Sequence, residues 1–81
     1  MYSIEFTKQA QKFFNKLSDG NAKIVGKKIE SIRQNPFRFL KKLQGQKLWR
    51  LRVLKYRIIV DVVISGKRIV VLRIGYRKNI Y

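Results

Sequence analysis

The chain has 81 residues, enough for one domain and too few for two, and 46% of them are hydrophobic, which excludes a disordered basic tail. Twenty Lys and Arg stand against four acids, a formal net charge of +16, so a polyanionic partner is expected: RNA, DNA, an acidic membrane surface or an acidic protein. With no cysteine and no histidine, disulfides, thiolate metal sites and the commonest general base are excluded, and Glu5, Asp19, Glu30 and Asp61 are too scattered for a carboxylate metal cluster.

The first segment, Tyr2 to Phe6, alternates: Tyr2, Ile4 and Phe6 point one way, Ser3 and Glu5 the other, as in a strand with one buried face. Thr7 is placed to cap a helix from Lys8 to about Leu17, with Ala10, Phe13, Phe14 and Leu17 as its apolar stripe and Lys8, Lys12 and Lys16 on another face. Ser18-Asp19-Gly20-Asn21 reads as a turn, with Asp19 or Asn21 as the next cap. In the second helix Ala22, Val25, Ile29 and Ile32 form an apolar seam, and Asn35-Pro36 stops it, because the residue before proline is pushed out of helical conformation. The two helices are expected to pack as an antiparallel hairpin.

Phe37 to Gln46 is a connector with apolar anchors at Phe37, Phe39, Leu40 and Leu43. The hydrophobic period then falls from about 3.6 to 2. Three strands follow, Lys47 to Leu54, Tyr56 to Ile64 and Lys67 to Gly75, joined tightly at Lys55 and at Ser65-Gly66 and therefore antiparallel. The expectation is a single α+β domain over residues 1–81, of order β-α-α-β-β-β. A twisted antiparallel sheet carries the helical hairpin on one face and leaves the other free for function.

Strand parity assigns the basic side chains. Trp49, Leu51 and Val53 share the face that meets the helices, so Arg50 and Arg52 share the opposite face, about 6–7 Å apart along the strand. Arg57 has the parity of Ile59 and Asp61, and Arg73 that of Arg77. Lysines dominate the helices and arginines the sheet, and guanidinium forks match phosphate oxygens bidentately. Basic side chains on a strand also commonly do no more than solvate its outer face. Among the aromatics, Trp49, Phe13 and Phe14 are expected in the core, while Tyr76 and Tyr81 sit among arginines, where a phenol can stack on a base.

Lys42-Leu43-Gln44-Gly45, Trp49-Arg50-Leu51-Arg52-Val53, Tyr56-Arg57-Ile58-Ile59 and the run Val71-Leu72-Arg73-Ile74-Gly75-Tyr76-Arg77-Lys78-Asn79-Ile80-Tyr81 together resemble the RelE/ParE toxin superfamily, the RelE branch most. The resemblance spans nearly the whole chain and implies a RelE-like fold and a ribosome-dependent messenger RNA endoribonuclease that inhibits translation. It implies no cofactor or metal, and a cognate acidic RelB-type antitoxin as partner beside ribosome and mRNA. A cytoplasmic location without a membrane is expected because no apolar run approaches the ~20 residues of a membrane span and Met1-Tyr2-Ser3-Ile4-Glu5 lacks the basic start and apolar stretch of a signal peptide. Carried over by position, Arg50, Arg52, Arg57, Arg77 and Tyr81 are the catalytic candidates, and Lys47, Arg73, Tyr76 and Lys78 the RNA-binding ones. The chain departs from the family's pattern in having arginine at positions 50 and 52 where some members have lysine, and Tyr76 where many have histidine. Arginine stays protonated and is a poor base, so the proton acceptor falls to a lysine such as Lys47, or to Tyr81, or catalysis rests on positioning and charge. Two alternatives remain: a ParE-like inhibitor of DNA gyrase, and a basic RNA-binding protein without enzymatic activity. A basic membrane-surface protein ranks last, because the helical stripes are needed for the core.

Overall fold

A computed structural model describes residues 1–78. Strand β1 (Ser3–Phe6) leads into α1 (Lys8–Asn15) and α2 (Asp19–Ser31), then a single turn α3 (Pro36–Phe39), a two-residue strand β2 (Lys41–Lys42), and β3 (Trp49–Val53), β4 (Tyr56–Val63) and β5 (Arg68–Tyr76). The caps follow from local chemistry. Thr7 Oγ1 accepts from the Ala10 N–H at 3.2 Å, as its position before the helix implies. The second cap is Ser18, whose hydroxyl accepts from the Asn21 N–H, and Asp19 instead occupies the first turn, where its charge suits the helix dipole. Pro36 ends nothing further along: it opens α3 at its first turn, where a missing N–H is harmless.

The five strands run in the order β1-β5-β4-β3-β2. The hairpins β3–β4 and β4–β5 are antiparallel as expected. The sheet as a whole is mixed, because β1 lies parallel to β5, Ser3 opposite Arg68 and Phe6 opposite Val71. A wholly antiparallel sheet is thus corrected at one edge: the chain leaves β1 through helices that cross one face, and such a crossover admits a parallel partner. The connector also holds more structure than its sequence suggests. Of its four apolar anchors only Leu40 is buried, while Phe37 and Phe39 are each 41% exposed.

The core lies between α1, α2 and one face of the sheet. Ala10, Val25, Ile29 and Ile32 meet Leu51, Val53, Tyr56, Ile58, Val60, Ile69, Val71 and Ile74. Side chains such as Ile32, Ile58 and Ile69 are fully enclosed, and each contributes about 1.5–3 kcal/mol of burial. Trp49 packs at the margin, its ring edge-on to Phe37 at 5.0 Å.

Between Ile59 and Val60 the β4–β5 register shifts: Ile59 faces Arg73, while Val60 faces Val71. Leu72 is the extra residue, a β-bulge. It reverses the parity of β5, so that Ile69, Val71 and Ile74 all enter the core and Arg73 is turned to the opposite face. Thr7 fixes this bulge to the helix cap, its hydroxyl donating to the Leu72 carbonyl at 2.7 Å.

Candidate functional site

On the face away from the helices, paired residues form rows across the strands. Lys41, Arg50, Ile59 and Arg73 make one row through β2, β3, β4 and β5. Arg52, Arg57 and Gly75 make the next. Cross-strand neighbours stand about 4.5–5.5 Å apart at Cβ and diagonal ones about 7–8 Å, so Arg50, Arg52, Arg57 and Arg73 share one patch of this face. Within it Arg57 and Arg73 line one cavity, and Arg50 and Arg52 a separate hollow beside Phe39 and Lys41. Glu5 and Asp61 share this face but lie further along it, in the row of Val70, and Glu5 pairs with Arg68 at 3.1 Å.

Arg57 differs from its neighbours. It is only 4% exposed, the one buried charged residue among those described, whereas Arg52 and Arg73 are exposed and Arg50 is half-buried. Its burial corrects the expectation of an open outer face. The β2–β3 hairpin loop folds over the sheet, and Leu43, Gln44, Gln46 and Leu48 enclose a cavity of about 390 Å³ with Arg57, Ile59 and Arg73. Ile59, an outer-face residue, is consequently 7% exposed. Burying a guanidinium costs several kcal/mol unless an anion or acceptors meet it. A cavity walled by two guanidiniums, two carboxamides and three aliphatic side chains is suited to an anion attached to something flat and partly apolar.

The other candidate residues are distributed as follows. Arg77 lies just past β5, its N–H donating to the Lys55 carbonyl at 3.1 Å and its Nη1 to the Leu54 carbonyl at 3.4 Å. With Lys78 it lines a second, separate hollow beside Leu54, Lys55 and Tyr76, at the Arg52–Arg57 end of the sheet. Lys47 is exposed on the hairpin loop and is not among the residues that line the cavity. Tyr76 lines the second hollow beside Arg77 and is not brought to Arg50, Arg52, Arg57 or Arg73. It stands opposite Tyr56 on the helix side, 44% exposed, with Phe13 edge-on at 5.7 Å and Tyr56 at 5.5 Å. Tyr81 lies outside the described residues. Sequence reasoning missed Gln44 and Gln46 as site residues, although Gly45 between them signals a turn.

Residues 4–81 match the profile of a family described as ParE toxin of type II toxin-antitoxin system, parDE. No curated protein sequence matches. Several solved structures share the fold. The toxin–antitoxin complex of Escherichia coli RelBE has a chain that superimposes with a TM-score of 0.81 at 21% identity, covering 94% of this chain and 96% of that one. In the archaeal RelE–RelB complex from Pyrococcus horikoshii OT3 the values are 0.82 and 25%, over 96% and 97% of the two chains. In the RelB–RelE complex from Methanococcus jannaschii they are 0.73 and 28%, over 95% and 94%. With the family's profile running over residues 4–81 and the fold shared with RelE structures at TM-scores of 0.81 and 0.82, the chain belongs to the ParE toxin family of type II toxin–antitoxin systems, within the RelE/ParE superfamily.

Proposed function

We propose that this toxin is a ribosome-dependent endoribonuclease that cuts messenger RNA and so inhibits translation. The observation that carries the reading is Arg57: a guanidinium held at 4% exposure, in a face shared with Arg50, Arg52 and Arg73. In the proposed reaction the ribose 2′-oxygen loses its proton and attacks the adjacent phosphorus. The bond to the 5′-oxygen breaks, and that oxygen takes up a proton, leaving a cyclic phosphate and a free 5′-hydroxyl. Charge accumulates on the non-bridging oxygens of the phosphorane, and Arg57 supplies fixed donors there in a site of low water content. Arg50, Arg52 and Arg73 hold the flanking phosphates and set the attacking oxygen in line. With no histidine in the chain and Lys47 outside the cavity, catalysis rests chiefly on positioning and charge. The geometry of a structured ribosomal decoding site supplies further alignment.

Relatives crystallised as RelE–RelB complexes support a partner of RelB type, and an acidic antitoxin would dock on the same basic face by charge complementarity. A partner of that kind also offsets the charge of +16. The toxin acts in the cytoplasm, where ribosomes and messenger are found; no described helix is long and apolar enough to cross a membrane.

A second reading, inhibition of DNA gyrase, is favoured by the ParE description of the matching family. Cleavage mapping on translating ribosomes, run beside a gyrase supercoiling assay with the same protein, separates the two. New 5′-hydroxyl ends within the decoding site, with supercoiling unaffected, support the nuclease. Blocked supercoiling with intact messenger overturns it, and binding without either effect leaves a non-enzymatic RNA-binding protein.

A further inference from the structure

The β2–β3 hairpin loop is built to a specific shape. The Leu43 N–H donates to the Leu48 carbonyl at 2.9 Å, closing the hairpin, and the Gln46 N–H donates to the Leu43 carbonyl at 3.2 Å, closing a four-residue turn inside it. Gly45 is the third residue of that turn and has φ +74°, the value a type II turn demands there and one that glycine adopts without strain. The turn therefore holds Gln44 and Gln46 on either side of a fixed corner, and both line the cavity that contains Arg57 and Arg73.

The cavity's two chemistries are segregated by origin. The sheet supplies the cations, Arg57 and Arg73, with the apolar Ile59, and the hairpin supplies Leu43, Leu48 and the two carboxamides. Its volume, about 390 Å³, falls within the ~300–1,000 Å³ range of small-ligand pockets. A carboxamide presents a donor beside an acceptor and pairs bidentately with a base edge, adenine N6 and N7 being the best match. Leucine and isoleucine side chains suit the faces of a base, and guanidiniums suit its phosphate.

We propose that this cavity is a nucleobase-reading subsite, in which Gln44 and Gln46 select the base attached to the phosphate held by Arg57 and Arg73. The subsite rests on the reading of the protein as a ribonuclease and adds what that reading lacks, a source of sequence preference. Flexible loops seldom discriminate; this one is held by two main-chain hydrogen bonds and a glycine corner.

The test uses the four nucleoside 3′-monophosphates, titrated against the full chain, with inorganic phosphate as the base-free control. Adenosine 3′-monophosphate is expected to bind about 10-fold more tightly than the weakest of the four. In Gln44→Leu/Gln46→Leu the four are expected to converge, while the affinity for inorganic phosphate stays at the wild-type value. A different preferred base, again lost in the variant, also supports the subsite. Four equal affinities in the wild type, or a preference that survives both substitutions, overturns it. Cleavage mapping of the same two proteins on translating ribosomes keeps the claims apart. Discrimination among nucleotides without messenger cleavage leaves the subsite standing and removes the nuclease. Cleavage with identical sequence preference in both proteins removes the subsite alone.

Discussion

Arg52 and Arg57 face each other directly across the β3–β4 ladder, one exposed and one almost wholly buried. Like charges so placed are unfavourable by about 0.2–1 kcal/mol, and the burial of one raises the cost. The cavity above Arg57 is lined by three aliphatic side chains, two carboxamides and Arg73. The pair sets two like charges side by side on the face proposed to hold phosphate, and an anion lying between the two side chains would relieve their repulsion.

Arg57→Met tests this arrangement. Methionine keeps the length and most of the volume of the side chain while removing its charge. The variant removes the like-charge contact with Arg52, and its rate of messenger cleavage is expected to fall by about 10²–10³. A variant less stable than the wild type with its rate preserved would make Arg57 a structural residue.

The dependence on salt measures how many phosphates the patch engages. For single-stranded RNA, log affinity falls with log salt at a slope of about −0.7 per phosphate neutralised. Four arginines acting together give a slope near −3, and Arg50→Ala or Arg52→Ala should each reduce its magnitude by about 0.7. Lys67→Ala, in the turn at the other end of the sheet and exposed, serves as the control and should leave the slope nearly unchanged. Equal reductions in all three variants would mean diffuse attraction by the net charge in place of a site.

Much of this arrangement is legible in the sequence because strand parity is strict wherever one face is buried. Trp49-Arg50-Leu51-Arg52-Val53 sets the outward direction of two arginines without any structure. The same rule fails in β5. Strict alternation from Ile69 and Val71 would carry Arg73 into the core, and only the bulge at Leu72 turns it outward. An arginine at a core parity position, between Leu72 and Ile74, was the available sign that the alternation must slip. The buried state of Arg57 was not legible at all, since it depends on a loop folding back from another strand. Contacts of that kind leave no periodic trace.

The aromatic group at the other face gives a contrasting prediction. Asn21 Nδ2 donates to the Tyr56 hydroxyl at 3.0 Å, and Phe13 packs edge-on against both Tyr56 and Tyr76, whose own rings are tilted to each other. Tyr56→Phe removes that hydrogen bond and should cost about 1 kcal/mol. Tyr76→Ala opens a partly exposed contact and should cost about 1–3 kcal/mol. Both variants should retain wild-type RNA affinity at temperatures where they are folded. A fall in RNA affinity for folded Tyr76→Ala would restore that residue to the binding surface.

Thr7 joins the two features that orient the site, the start of α1 and the bulge in β5. Its hydroxyl accepts from the Ala10 N–H and donates to the Leu72 carbonyl, an acceptor that the bulge takes out of the ladder. Thr7→Val preserves shape and removes both bonds, at a cost of about 1–2 kcal/mol. In a domain of this size that corresponds to a melting temperature lower by about 4–16 °C. Thr7→Ser, which keeps the hydroxyl, should recover most of the loss. The cleavage rate of folded Thr7→Val should stay at the wild-type level, because Val71 and Ile74 bury on either side of Leu72 and hold the register independently. A lower rate at a temperature where the variant is fully folded would show that the hydroxyl, and not the flanking core residues, turns Arg73 toward the site.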